Sequence, residues 1–189
     1  MSAGERSTVD EEPPERGRSP TDDGSRNEDS STNEDGSGID EGSPADCVFC
    51  AIERGERPGS VVYEDDTVFS ILDTTPINPG HALVIPREHA PSLAALDEDT
   101  GAHCFRVTMR VAEAIRESEV RCAGINCLLA DGEAAFQEIA HCHMHVLPRF
   151  DGDSFAIDAD WSGSPSRSAL DAIASDIRAV MDRPGESDP

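Results

Sequence analysis

His141-Cys142-His143-Met144-His145-Val146-Leu147-Pro148 alternates imidazoles with apolar side chains. Along a β-strand successive side chains point to opposite faces, so His141, His143 and His145 would share one face while Cys142, Met144 and Val146 enter a core. Alternate residues on a strand stand roughly 6.6 Å apart, and three imidazoles that close would repel one another if all were protonated. Such a row suits a chemical site better than a packing role.

Outward from this run, residues 139–147 read as the last of five strands. Residues 124–130 form the fourth, followed by the turn Asp131-Gly132. Residues 81–85 form the third, closed by Pro86, which cannot donate in a central ladder. Residues 61–63 and 67–72 are β-rich runs separated by the acidic turn Glu64-Asp65-Asp66, a hairpin signature. Between residues 97 and 118, Phe105, Met109, Ala112 and Ile115, joined by Val107 and Val111, recur at helical spacing and predict one long core helix. Leu170, Ile173, Ile177 and Val180 mark a C-terminal amphipathic helix that Ser168 with Asp171 would cap. The fold class expected is α+β, an antiparallel sheet of about five strands with a core helix and a C-terminal helix.

At 189 residues the chain is long enough for one full core. Residues 1–45 are Ser, Gly, Pro, Asp and Glu with almost no aliphatic side chains, so they cannot bury enough apolar surface to offset their ordering entropy and are expected to be disordered. Residues 46–160 would be the folded domain and 161–189 the C-terminal helix and tail. No signal-peptide run or membrane-length apolar segment is present in the sequence, which predicts a cytoplasmic, non-membrane protein. The net charge is −24, and every cation is Arg. Such a surface repels polynucleotides, because counterion release needs clustered cations, and nucleic-acid binding is not expected. Lys-free acidity of this kind resembles proteins of molar-salt cells, where screening over roughly 3 Å removes most self-repulsion.

Six cysteines in a cytosolic-looking chain are better read as metal ligands or small buried hydrophobes than as disulfides. Cys47 and Cys50 form the C-x-x-C pair, which needs two further ligands to close a tetrahedral zinc shell. A redox pair is the alternative, although the strand-and-helix context of thioredoxin-type pairs is missing. Cys104, Cys122, Cys127 and Cys142 lie inside apolar patterns and read as packing residues. His103 lies outside every motif, as a surface or filler residue.

The chain from Cys47 to Arg149 resembles the histidine triad superfamily, whose members bind nucleotides and cleave or transfer nucleoside monophosphates. The resemblance rests on Cys47-x-Phe49-Cys50-x-Ile52, Tyr63-Glu64-Asp65-Asp66, Asp73-x-x-Pro76-x-x-Pro79-Gly80-His81-x-Leu83-Val84-Ile85-Pro86-x-x-His89 and Asp131-Gly132-x-x-Ala135-x-Gln137, followed by the three histidines. It implies that His143 is the nucleophile, forming a covalent nucleotidyl intermediate. A neutral imidazole suits that task, since its ordinary pKa is about 6.5. By the same resemblance His145 stabilises the phosphoryl oxygens or leaving group, His141 completes the row, and His81 approaches from a neighbouring strand. Asp73 would accept the ribose hydroxyls; Phe49, Ile52 and Ile71 would hold the base; Gln137 would bond a phosphate oxygen or orient a histidine. Glu138 falls beside the phosphate, where a carboxylate repels unless it orients a donor.

The zinc-bearing branch of the superfamily implies Zn²⁺ on Cys47, Cys50, His89 and His141. Two positions depart from the family pattern: Ala130 replaces an amide donor, and Phe136 stands where glycine is usual. The expected activity is hydrolysis or transfer of nucleoside monophosphate derivatives, such as adenosine phosphoramidate, by a homodimer acting on a purine nucleotide. A dinucleoside polyphosphate hydrolase or phosphorylase would use the same nucleophile. A non-catalytic zinc-stabilised nucleotide-binding module is the reading motivated by Ala130 and Phe136.

Overall fold

The computed structural model describes residues 43–181. The expected acidic tail, apart from residues 43–45, lies outside the described residues, as does the tail after the last helix. Helix α1 (Val48–Glu53) precedes strands β1 (Val61–Glu64), β2 (Val68–Leu72) and β3 (Ala82–Pro86). Helix α2 (Glu98–Glu117), strands β4 (Gly124–Leu129) and β5 (Met144–Arg149) and helix α3 (Arg167–Met181) follow. The sheet runs β1-β2-β3-β5-β4, with every neighbouring pair antiparallel. Among the described residues no helix is long and apolar enough to cross a membrane.

Both faces of the central strands are covered, which is why β2 and β3 are nearly continuous apolar runs. On one face Val68, Ala82, Val84 and Val146 pack against Cys104, Val107, Val111, Ala112 and Ile115 of α2. On the other, Phe69, Ile71, Leu83 and Ile85 pack against Cys47, Phe49 and Cys50 at α1. Full burial of each such large aliphatic side chain stabilises by about 1.5–3 kcal/mol.

Helix α2 falls where its periodicity puts it, with the Asp97 side chain accepting from Thr100 N–H at 2.9 Å as the N-cap. Its buried stripe is 104/107/108/111/112/115, whereas Phe105 and Met109 are 51% and 60% exposed. Two overlapping apolar stripes run along this helix, and the sheet takes one of them. Helix α3 is capped by Ser166, whose hydroxyl accepts from Ala169 N–H at 3.2 Å, two residues earlier than the expected Ser168. His103 is no filler: its Nε2 lies 2.7 Å from Asp65 Oδ2, tying α2 to the β1–β2 turn.

The triad strand starts late. Only His145 sits in the ladder, opposite Leu83 and Leu128, because the backbone turns at residues 139–141, with His141 N–H donating to Ile139 O at 2.8 Å. Pro148 is tolerated inside β5 because β3 pairs no further along than Val146.

Candidate active site

Three segments meet above β3 and β5. The 73–81 loop is closed at its base by Asp73 N–H donating to the His81 carbonyl at 2.9 Å, so Asp73 and His81 project from one rung. Gly80 makes that closure possible: its φ is +87°, and a Cβ there would meet Val120 Cγ1 at 2.7 Å. Asn78, buried and unremarkable in the sequence, pins the loop by donating to Pro148 O at 2.9 Å and Asp153 Oδ2 at 3.0 Å. Phe49 of α1 presses edge-on against His143, with centroids 5.0 Å apart, and against His141 at 5.8 Å.

The orientation of His143 follows from one bond. Its Nδ1 lies 2.8 Å from the His141 carbonyl oxygen. A carbonyl only accepts, so Nδ1 carries the hydrogen and Nε2 keeps a free lone pair. Burial lowers the pKa of this ring below its ordinary value, which keeps that lone pair available at neutral pH.

His145 Nδ1 lies 2.9 Å from His81 Nε2. His81 Nδ1 is met from two sides at 3.4 Å, by the Ile77 N–H donor and by the Asp73 carboxylate. The Asp73–His81–His145 chain can therefore hold its proton at either end, and His145 Nε2 is the nitrogen left for a substrate. Burial first, then the neighbouring His143 and His81 rings, push His145 down to about 4; burial likewise lowers His81. The repulsion anticipated between charged rings is thus avoided, because the rings rest neutral.

His143 and His145 open onto a cavity of about 430 Å³ that Phe49, Ile52, Ile71, Asp73 and Glu138 also line. That volume is in the range of small-molecule sites, about 300–1,000 Å³. The apolar wall is joined by Thr74, Thr75 and Arg57, the one cation among the lining residues, none of which carries a motif signal in the sequence. Gln137 is absent from this lining. Its amide is spent on its own loop, accepting from Gly132 N–H at 2.7 Å and donating to Pro91 O at 2.9 Å and Ile139 O at 3.0 Å. Gln137 therefore braces the loop, and no bond is left for the phosphate contact expected of it.

His141 is fully buried and faces away from the cavity, into a second constellation. Its Nε2 donates to Pro86 O at 2.9 Å, which turns Nδ1 toward Cys47 Sγ at 3.4 Å and Cys50 Sγ at 3.6 Å. His89 Nδ1 lies 3.3 Å from Cys50 Sγ. One ligand atom from each of Cys47, Cys50, His89 and His141 falls within 4.8 Å of the others. Two sulfurs and two imidazole nitrogens at this spacing match the donor set of a closed tetrahedral zinc site. Burial pushes His141 down to about 4, so it offers a lone pair. Burial, then Cys47, raises the Cys50 thiol to about 11, and a bound cation is what would draw its proton off.

A family model for the HIT domain matches residues 54–152. An uncharacterised HIT-like protein of Mycobacterium tuberculosis is 36% identical over 138 residues, covering 72% of this chain and 95% of the relative. An adenylylsulfatase of Arabidopsis thaliana is 41% identical over 112 residues, covering 57% of this chain and 54% of that protein. The crystal structure of a zinc-bound histidine triad family protein from Mycobacterium smegmatis superposes with a TM-score of 0.58 at 37% identity, over 73% of this chain and 99% of the other.

Proposed function

The chain belongs to the HIT domain family, and on that premise we propose that it hydrolyses or transfers nucleoside monophosphates through a covalent intermediate on His143. The observation that carries this reading is the bond that fixes His143 Nδ1–H on the His141 carbonyl, leaving Nε2 as a lone pair beside the cavity. In the first step Nε2 forms a bond to phosphorus while the bond to the leaving group breaks. The leaving group departs with the electron pair and takes a proton at His145 Nε2, one that the Asp73–His81–His145 chain takes up with the substrate beyond its resting neutral rings. In the second step water adds hydroxide to phosphorus, the P–N bond returns its pair to His143, and the water proton restores the acid. Ile52, Ile71 and Phe49 would hold a purine base and Asp73 the ribose.

Adenosine phosphoramidate represents the expected substrate class, and the adenylylsulfatase among the relatives acts on a related linkage by name. A dinucleoside polyphosphate differs only in what leaves. Zinc on Cys47, Cys50, His89 and His141 would be structural, since no side chain of that set lines the cavity; its chemistry is to lock two thiolates and two imidazoles together. Exposed Phe105 and Met109 on α2, and the edge position of β4, support a homodimer. The catalytic domain would span 46–160 with α3 appended, in a cytosol whose salt screens the acidic surface.

The test is turnover of adenosine phosphoramidate by wild type and His143→Ala, with AMP binding and zinc content measured on both. Loss of kcat by on the order of 10³ or more in a folded, AMP-binding variant supports the nucleophile. Undiminished turnover would contradict it.

A further inference from the structure

The β3–β5 ladder stops one rung short of His81. Its last pair is Ala82 with Val146, so the His81 backbone lies beyond the pairing. On the facing strand the next residues are Leu147 and Pro148, and proline has no N–H with which to extend a ladder. His81 nevertheless presents Nε2 to His145 Nδ1 at 2.9 Å, inside the narrow window in which a hydrogen bond is strong. A side chain supplies the tie that the ladder lacks. Asn78, 4% exposed, donates from its amide to Pro148 O at 2.9 Å and to Asp153 Oδ2 at 3.0 Å, while its backbone carbonyl accepts from His81 N–H at 3.0 Å.

The far end of this tie is itself fixed. The Asp153 side chain, 3% exposed, accepts from Arg149 Nε at 2.6 Å, from Arg149 Nη2 at 2.7 Å and from Phe150 N–H at 3.2 Å. A guanidinium fork on a carboxylate fixes direction as well as distance. Arg149 reaches on to Asn126 Oδ1 of β4 at 2.5 Å and to Phe155 O at 2.7 Å. A polar path thus runs from the edge strand β4 through β5 to the 73–81 loop and ends on the main chain of His81. None of Asn78, Asp153, Arg149 and Asn126 lines the cavity, so the path acts on the site only through other residues.

We propose that Asn78, with Asp153 and Arg149 behind it, is the positioning residue of the proton relay: its amide replaces the missing rung between loop and strand and sets the His81–His145 contact through which the departing group is given its proton. This role rests on the nucleotidyl-transfer reading above. When the P–N bond of a phosphoramidate breaks, nitrogen leaves with the electron pair and takes a proton from His145 Nε2. A misplacement of about 1 Å in such an arrangement costs on the order of 10²-fold. Sulfate expelled from adenylyl sulfate needs no proton, because it departs as a stable anion when the P–O bond breaks.

The experiment measures kcat/KM on adenosine phosphoramidate and on adenylyl sulfate for wild type, Asn78→Leu, Asn78→Ser and Asp153→Asn, with zinc content and AMP affinity checking the fold. Nucleoside binding and attack by His143 are common to both substrates, so the ratio of phosphoramidate to sulfate isolates the proton. In Asn78→Leu that ratio falls about 10- to 100-fold while AMP affinity stays within about twofold of wild type. Asn78→Ser, which keeps a shorter donor, falls less. The double variant Asn78→Leu/Asp153→Asn falls no further than the lower of its two single variants, because both act through one path. Equal losses on the two substrates, or an unchanged ratio, overturn the positioning role and leave the nucleophile standing. Loss of zinc and AMP binding in both Asn78 variants makes the amide a folding requirement and overturns the role as well. A wild type inactive on both substrates fails the nucleotidyl-transfer reading itself.

Discussion

His143 and Phe136 are each defined by something smaller than an element. For His143 it is a single hydrogen bond to a carbonyl two residues earlier, which decides which nitrogen keeps its lone pair. The residue types were visible in the run of alternating histidines, but a tautomer is set by a three-dimensional partner and has no signature in the letters. For Phe136 it is a sign of φ: the backbone there is left-handed at +65°, and the ring is 88% exposed. The departure from glycine was legible in the sequence; that the ring would be exposed and strained was not. The strain has a consequence independent of catalysis. Left-handed backbone at a non-glycine residue costs about 1–2 kcal/mol, while the extra unfolded-state freedom of glycine costs about 0.5–1 kcal/mol. Strain is the larger of the two, by up to about 1.5 kcal/mol, so Phe136→Gly raises Tm by up to about 6 °C for a domain of this size. Calorimetry on the metal-loaded protein reads this directly, and a lowered Tm would show that the ring is supported by contacts in the free state.

The start of α1, the loop after β3 and the segment leading into β5 are joined by Cys47, Cys50, His89 and His141. These residues are spread over 94 positions in sequence, and C-x-x-C announces only half of them. Because unfolded chains lack such a preformed site, metal binding there contributes directly to folding. Cys47→Ser therefore lowers zinc content below that of wild type and costs on the order of 5 kcal/mol in unfolding free energy. Denaturant midpoints with metal analysis measure both. A chelator reproduces the loss in wild type and adds little to the variant, whereas unchanged zinc stoichiometry in the variant would refute the assignment.

The β1–β2 hairpin is governed by Asp65, which accepts from Thr67 and Val68 N–H, both at 2.9 Å, and from the Tyr63 hydroxyl at 2.7 Å, and pairs with His103. Burial would raise its pKa, but the Tyr63, Val68, Thr67 and His103 bonds outweigh it and hold the carboxyl well below the usual range. A depressed carboxylate stabilises fully above the unfolded value of about 3.9 and loses that contribution as pH falls toward the folded value. The Tm deficit of Asp65→Asn relative to wild type is accordingly largest at pH 6–7 and shrinks below about pH 4. A deficit constant down to pH 3 would exclude the carboxylate as its source.

For the molecule as a whole, alternation, helical periodicity and turn residues were enough to read the five strands and the long helix in their order along the chain, and the antiparallel sheet came with the family resemblance. What they missed has one physical cause, which is that burial on a strand or helix is decided by what lies across from it. Met109 and Phe105 continue an apolar period yet face outward because the sheet takes the adjacent stripe. Gln137, expected to bond a phosphate oxygen or orient a histidine, is spent on its own loop. The short helix α1 is too brief for a periodic signal, but with its N-cap residue Cys47 it supplies both thiols and the Phe49 edge behind His143. Together these elements hold one neutral imidazole against a cavity fit for a nucleotide. The most direct measurement is the mass of the protein after rapid mixing with adenosine phosphoramidate and alkaline quench, followed by peptide mapping. The account predicts an adenylyl group on the peptide carrying His143, absent in His143→Ala; turnover without any such adduct, or an adduct on another residue, would contradict it.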